Sequence, residues 1–431
     1  MDETFAAEAA ATVASLPEDV VHEIFVRVED PATLFRCAVT SKRWIRLVAD
    51  SSFIRRRWPD HGPCGRTSST FLAGFVTRRQ VEHRTDLAMS FIPTSRSFGT
   101  GRRRLGSLFH NAAFLLDHAV PLASRRGLLL VRLALPRLAV VHLAVCDLIA
   151  GACHVLPPLI HSSEVPKSGY AILTDADCCS STERQLQSSS GYSSFYKVVV
   201  LGVNKWSGRP ENLHTFSSSE ARWSTPQTLL FDSSQIVLSG LPRHHDGVVC
   251  RGTVHWLVGD WSNAGSTNLY TLGVDLETCR LSWTKAPDTL NYFSSLSYDE
   301  PQLKVATDGT LSLLVLHRPG LQLQIYTRHD SKIIEDTASD GWICTHVVEL
   351  KPPEQIQRRP LHLSILGVKG DMTLLKDNKG NVYVGDLETG AMDKMDVFGW
   401  LNRRSVVLLE MDWPTYFISR LVIASKCLHV K

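Results

Sequence analysis

The sequence predicts two unlike parts: a short N-terminal bundle of three helices, then a much longer antiparallel β-region built from recurring sheets. Three observations carry this. Residues 15–53 place apolar side chains at helical spacing. An Asp-Leu turn element recurs three times further along. From Gly127 onward, short β-branched and aliphatic runs alternate with turn residues.

The first helix is framed by Ser15 and Glu18, an S-x-x-E capping box with Pro17 in the first turn. At 100° per residue, Val20, Val21, Ile24, Phe25 and Val28 form one stripe about 140° wide, opposite Asp19, Glu23 and Arg27. Asp30-Pro31 supplies the next N-cap and a proline at the first helical position. In the helix that follows, Ala32, Leu34, Phe35, Cys37, Ala38 and Val39 cover about 220°. No single neighbouring helix covers so wide an arc. In the third, Trp44, Ile45, Leu47, Val48 and Ala49 face one way, and Lys42, Arg43, Arg46 and Asp50 the other. A unit of this size rarely folds on its own buried area. Its surplus apolar surface calls for something to cover it.

Leu16-Pro17, then Val20, Val21, Ile24 and Phe25, then Leu34-Phe35-Arg36, Val39, Lys42-Arg43-Trp44, Leu47-Val48 and Phe53 together resemble the F-box. Ser41 stands where that family usually has cysteine, and Val21 where leucine is commoner. The resemblance implies docking on the small Skp-type adaptor of a cullin-based ubiquitin ligase. It also implies that Leu16, Pro17, Val20, Ile24, Leu34, Val39 and Trp44 divide between internal packing and adaptor contact. The competing reading makes these helices the start of a larger globular domain, packed on the rest of the chain.

Residues 1–14 are read as a disordered N-terminus and 15–58 as the helical module. Residues 59–87 are read as a linker: Pro59-Asp60-His61-Gly62-Pro63-Cys64-Gly65, a Ser/Thr cluster, and a short helix carrying Phe71, Leu72, Phe75 and Val76. Residues 88–431 form the β-region. Within it Val145-Cys146-Asp147-Leu148-Ile149-Ala150-Gly151 reappears as Gly273–Cys279 and as Val384–Gly390. Each is a strand ending in an Asp that can accept the backbone N–H two residues on, with the next strand returning toward Leu156, Trp283 or Met395. Other strands are expected at Tyr196–Val203, His214–Phe216, Arg222–Ser224, Leu311–Leu316, Leu323–Thr327 and Trp342–Leu350. Units recurring about every 50 to 70 residues suit four-stranded antiparallel sheets in a propeller. Gly252-Thr253-Val254-His255-Trp256-Leu257, Tyr196-Lys197-Val198-Val199 and the Arg222-Trp223-Ser224 turn resemble the propeller-type domain that follows F-boxes in many plant proteins. There is no glycine-pair kelch signature and no regular Trp-Asp ending.

Composition sets the outer limits. The 431 residues, 44% hydrophobic and 21% charged with a net charge of +3, are ordinary for a soluble globular protein and give no strong pull toward nucleic acid. The apolar stretch from Leu128 to Val145 is broken by Arg132, Pro136-Arg137 and His142, so no membrane span is expected. The acidic start, Met1-Asp2-Glu3, does not read as a signal peptide. Ten cysteines without a C-x-x-C, Cys178-Cys179 among them, point to reduced thiols in cytoplasm or nucleus.

Chemistry-bearing motifs are few. His244-His245-Asp246 with His255 has no usual zinc spacing. Gly99-Thr100-Gly101 before Arg102-Arg103-Arg104 lacks the lysine of a phosphate loop. Asp377-Asn378-Lys379-Gly380-Asn381 reads as a hairpin turn. No catalytic constellation, cofactor or metal is expected. Between Lys42 and Arg126, sixteen Lys and Arg stand against five Asp and Glu, a formal +11. A solvated basic face is the plain explanation; steering of an acidic partner or nuclear import are others.

The expected function is therefore a non-catalytic substrate-recognition subunit of a Skp–cullin–F-box ubiquitin ligase, with the adaptor on the helices and a target protein of unknown identity on the β-domain. Alternatives are a propeller scaffold outside any ligase, a propeller-type enzyme, and a helix-turn-helix in which Lys42, Arg43 and Arg46 meet DNA phosphates. The broad apolar surface beside those cations argues against the last.

Overall fold

The structure, a computed structural model, describes residues 16–28, 30–58, 70–78, 88–94, 102–109, 112–134, 140–160, 168–177, 195–203, 210–229, 246–260, 268–287, 301–306, 308–317, 321–329, 341–353, 362–398, 401 and 406–427. Residues 1–15, residues 59–69 of the expected linker, Gly99-Thr100-Gly101, Cys178-Cys179 and His244-His245 lie outside these, and with them all or part of five expectations. The chain divides into two compact units: Met1–Gly62 with Asp412–Lys431, and Pro63–Met411.

The first unit is helical. It comprises α1 (Glu18–Val26), α2 (Pro31–Ala38), α3 (Lys42–Ala49) and α4 (Ser51–Arg57), joined by a helix from the far end of the chain, Trp413–Cys427. Pro17 is the N-cap of α1 and lies just before the first turn rather than in it. Asp30 caps α2 as expected: its carboxylate accepts the amides of Ala32 at 3.1 Å and Thr33 at 2.9 Å, with Pro31 at the first helical position. The Thr33 hydroxyl at 2.6 Å is the strongest of several hydrogen bonds holding this carboxyl below its usual pKa range. The C-terminal helix is started in the same way, since Asp412 accepts the Thr415 amide at 3.1 Å and its hydroxyl at 2.8 Å.

Val21, Phe25, Leu34, Ala38, Ile45, Val48, Phe53 and Trp58 form the helical core, and Phe417 and Leu421 of the C-terminal helix complete it. The Phe417 ring lies 5.3 Å from that of Trp58 and 6.2 Å, edge-on, from that of Phe35. The wide apolar arc of α2 is thus served from two sides, as its width demands.

The second unit is a six-bladed antiparallel β-propeller. Blade 1 combines β1 (Thr70–Arg78), β2 (Met89–Pro93) and β3 (Arg103–Arg104) with the last strand, β27 (Val406–Asp412), in the order β27-β1-β2-β3. Blade 2 follows as β4 (Val120–Arg125), β5 (Leu128–Arg132), β7 (Leu143–Asp147) and β8 (Ala152–Val155), with β6 (Val140–Val141) and β9 (Leu159–Ile160) as a small side ladder. Blade 3 is β10 (Gly169–Thr174), β11 (Tyr196–Val203), β12 (Pro210–Ser217) and β13 (Arg222–Trp223), with β14 (Gln227–Thr228) also on β12. Blade 4 is β15 (Val248–Cys250), β16 (Thr253–Asp260), β17 (Asn268–Asp275) and β18 (Leu281–Lys285). Blade 5 is β19 (Gln302–Val305), β20 (Leu311–His317), β21 (Gln322–Arg328) and β22 (Trp342–Glu349). Blade 6 is β23 (Leu363–Lys369), β24 (Met372–Asp377), β25 (Asn381–Asp386) and β26 (Met392–Phe398). Pairing β27 with β1 joins the chain's last strand to its first, which closes the ring and removes an open edge.

One expectation is overturned. Residues 71–76 are not a linker helix but lie in β1, paired in register with β2 from Gly74↔Pro93 to Arg78↔Met89. The first described strand of the β unit therefore begins at residue 70, before the expected 88, and the unit ends before the C-terminal helix. Burial explains the misreading. Ala73 to Thr77 are buried without a break, so both faces of β1 are covered and no alternation marks it as a strand.

The repeated turns form as expected. Asp147 accepts the amides of Ile149 and Ala150, each at 2.9 Å. Asp275 accepts those of Glu277 and Thr278, and Asp386 those of Glu388 and Thr389. Asp377 opens the β24–β25 hairpin, accepting Lys379 and Asn381 amides, and Gly380 takes the left-handed φ of +86°.

The first strands of consecutive blades line the axis, where opposite charges pair. Arg125 holds Asp177 through Nη2–Oδ1 at 2.5 Å and Nε–Oδ2 at 3.2 Å, with Glu410 at 3.9 Å. Lys369 meets Asp246 at 3.4 Å and the Ser124 carbonyl at 3.1 Å, and Lys304 meets Asp371 at 3.3 Å. Burial alone would raise the Asp177 carboxyl, but Arg125, together with Arg126 and the Thr174 amide, more than offsets it and leaves the pKa lowered. For Asp246 burial wins over Lys369 and the pKa is raised.

The basic stretch between residues 42 and 126 is accordingly not one solvated face. Arg125 sits in this buried cluster, Arg56 pairs with Glu23, Arg57 donates to the Val28 carbonyl at 3.0 Å, and Arg102 donates to Ser90 at 2.7 Å.

Candidate protein-docking site

Helix α1 is short, so its faces follow directly from its sequence. Val21 and Phe25 turn into the core, where the Phe25 ring meets the Trp44 ring edge-on at 5.3 Å. Val20 and Ile24, one turn apart on an adjacent face, stay in solvent at 39% and 49% exposure. Two aliphatic side chains left bare on a nine-residue helix are what the surplus in the sequence led us to expect.

Val20, but not Ile24, lines an open groove of about 950 Å³. Val20 and Leu47 supply its apolar wall, Glu18, Asp19 and Glu23 acidic groups, and Lys42 and Arg46 basic ones. Arg43 is less available. It donates to the Leu16 carbonyl at 2.8 Å and pairs with Glu18 at 3.4 Å, tying α3 to the segment before α1. An apolar strip with charges of both signs on its rim suits a protein partner, because the strip supplies burial and the rim fixes orientation.

The seven sequence-derived residues separate into three sets. Pro17, Val20 and Ile24 are exposed, on or just before α1. Leu34 is 0% exposed and belongs wholly to the core, so no partner reaches it. Leu16, Val39 and Trp44 are half-buried and pack against the core from its edge. The sequence did not single out Phe417 and Leu421. Asp412-Trp413-Pro414-Thr415, a capping residue followed by proline in the first turn, was a readable signal for the helix that carries them.

This stretch matches a known family model, F-box-like, over residues 13–58. Residues 13–58 are an F-box-like domain. The F-box-like helices α1 to α4 fall within that match. A search of curated proteins found none that matches. Among solved structures, a chain of the nidogen/laminin complex is 11% identical at a TM-score of 0.38, covering 80% of this chain and 99% of that one. TolB from Acinetobacter baumannii is 11% identical at 0.37, covering 85% and 73%. The Cps50 (Swd1) β-propeller domain from Myceliophteria thermophila is 12% identical at 0.34, covering 73% and 81%. At these scores they carry no argument, and the six-bladed architecture rests on the strand pairing itself.

Among the described residues no group of three or more His, Cys, Asp or Glu is placed to hold a metal. His255 is buried in β16, and Asp246 is engaged with Lys369. No described helix is long and apolar enough to cross a membrane.

Proposed function

We propose that this chain is a substrate-recognition subunit of a Skp–cullin–F-box ubiquitin ligase. The F-box-like domain docks on a Skp-type adaptor through Pro17, Val20, Ile24 and the groove beside them, and the propeller holds a target protein. In this reading the chain is non-catalytic. It raises the concentration of its target near the transferring enzyme, which is catalysis by positioning. The reading places it in cytoplasm or nucleus and among the F-box proteins with an associated propeller-type domain that are common in plants.

The observation that carries it is the pair Val20 and Ile24, bare on a helix whose Val21 and Phe25 are buried, inside a domain matching the F-box-like family. Burying two such side chains against a partner contributes about 3 to 5 kcal/mol before association costs. Affinity purification of the full chain with mass spectrometry, under proteasome inhibition, tests the proposal. The expected result is recovery of a Skp-type adaptor and a cullin, with candidate targets enriched only when the proteasome is blocked. A purification that lacks both adaptor and cullin would favour a scaffold outside the ligase.

A further inference from the structure

Cys146 on β7 and Cys153 on β8 face each other across one antiparallel ladder, with their sulfurs 3.5 Å apart. The register places this contact well. The Leu156 amide donates to the Leu143 carbonyl at 2.9 Å, which makes Leu143 and Leu156 a hydrogen-bonded pair. Hydrogen-bonded and non-bonded pairs alternate along the ladder, so Cys146 and Cys153, three positions on, form a non-bonded pair. Such pairs hold Cα atoms about 4.5 Å apart, inside the range a disulfide spans.

The turn does not require cysteines here. At the matching positions of the other two repeats, Val274 faces Leu281 and Gly385 faces Met392. The two thiols also differ in access, Cys146 being fully buried and Cys153 half-buried.

We propose that Cys146 and Cys153 are a reversible thiol–disulfide site that small-molecule disulfides oxidise. Cys153 is reached first. Its thiolate attacks one sulfur of the small disulfide, forming a mixed disulfide and releasing one small thiolate. Cys146 then gives up its proton and its sulfur attacks the Cys153 sulfur, which expels the second small thiolate. The protein loses two S–H bonds and gains one S–S bond, and the two protons end on the two small thiols. The hydrogen bond from Cys146 to Cys153 suits this order, because it lowers the pKa of the Cys153 thiol and raises that of Cys146. The bridge ties β8, the outermost strand of blade 2, to the strand inside it.

The test equilibrates the folded full chain with mixtures of reduced and oxidised glutathione, quenches it in acid, and maps the cysteines by mass spectrometry. A Cys146–Cys153 crosslink, lighter by two hydrogens, is expected to grow as the oxidised fraction rises and to vanish on adding reductant. Cys146→Ser is expected to stop at glutathione on Cys153, and Cys153→Ser to leave Cys146 unmodified. Separate alkylation of both wild-type thiols at every mixture would overturn the proposal. So would a bridge from Cys153 to another cysteine, or a crosslink found only in denaturant.

Discussion

Both units of this molecule recruit the end of the chain, with different outcomes. In the β unit the last strand, β27, pairs with β1 and closes the ring. Among its described residues the exposed large apolar side chains are Phe114, Val155, Ile160 and, together on β22, Ile343 and Val347. In the helical unit the C-terminal helix fills the core with Phe417 and Leu421, yet Val20 and Ile24 remain bare side by side on α1, and Val422 is exposed on the C-terminal helix. The helical unit therefore buries what its core needs and keeps two neighbouring aliphatic side chains of α1 in solvent. Single exposed apolar side chains are ordinary for a protein surface, whereas a neighbouring pair on one helix is the surface the proposed docking uses.

The sharpest way to break this comparison is to remove what the C-terminal helix contributes. Phe417→Ala with Leu421→Ala should cost the helical unit about 5 kcal/mol or more. A unit so small holds roughly 3 to 5 kcal/mol. Hydrogen exchange should then show residues 16–58 unprotected while the propeller strands stay protected. Unchanged protection of α2 would mean that this helix is dispensable.

On the propeller side, Asp177→Asn should cost about 3 to 5 kcal/mol in denaturant unfolding, because it leaves Arg125 buried without its bidentate partner. The sign of its pH dependence follows from the lowered pKa of Asp177. The folded state prefers the charged carboxylate, so its contribution is present above the ordinary value of 3.8 and is lost as pH falls through the folded value. The gap between wild type and Asp177→Asn should therefore narrow in that acid range. Asp246 runs the other way: its raised pKa makes the folded state favour the proton, and stability from it declines as pH rises past 3.8 toward the folded value.

Next in size, Leu34→Ala should cost about 2 to 5 kcal/mol of stability, while Ile24→Ala costs under about 1 kcal/mol, since only the first opens a cavity. Equal losses in thermal or denaturant unfolding would erase the division of α1 and α2 into core and docking faces. The smallest expected effect is at a turn. Asp275→Ala removes an acceptor for two amides and should lower propeller stability by about 1 kcal/mol, read from the unfolding midpoint.

Where local chemistry decided the structure, the sequence was readable. Asp30-Pro31 caps α2, Tyr196–Val203 is a strand with the expected ends, and three Asp turns form where the repeat placed them. Long-range pairing was not readable. The partner of β1 on one side is β27, over 300 residues away, and covering β1 on both sides removed the alternation that identifies a strand. Gly74 was a usable local hint, because any Cβ there would collide with the Ile92 carbonyl of β2, and a lone glycine in an apolar run suits such an approach. For the docking site, helical periodicity found the right stripe but not its division. Val20 and Val21 are neighbours on the same arc, and only the packing of α3 and α4 decides which is buried.

In the proposed function Val20 and Ile24 serve a partner and not folding. The most direct measurement compares wild type with Val20→Ser/Ile24→Ser for binding to a purified Skp-type adaptor by calorimetry, alongside denaturant unfolding of both proteins. Unfolding is expected to shift by less than about 1 kcal/mol and affinity to fall at least about thirtyfold, as for hot-spot residues. Adaptor binding unchanged in the folded double variant would contradict the proposal.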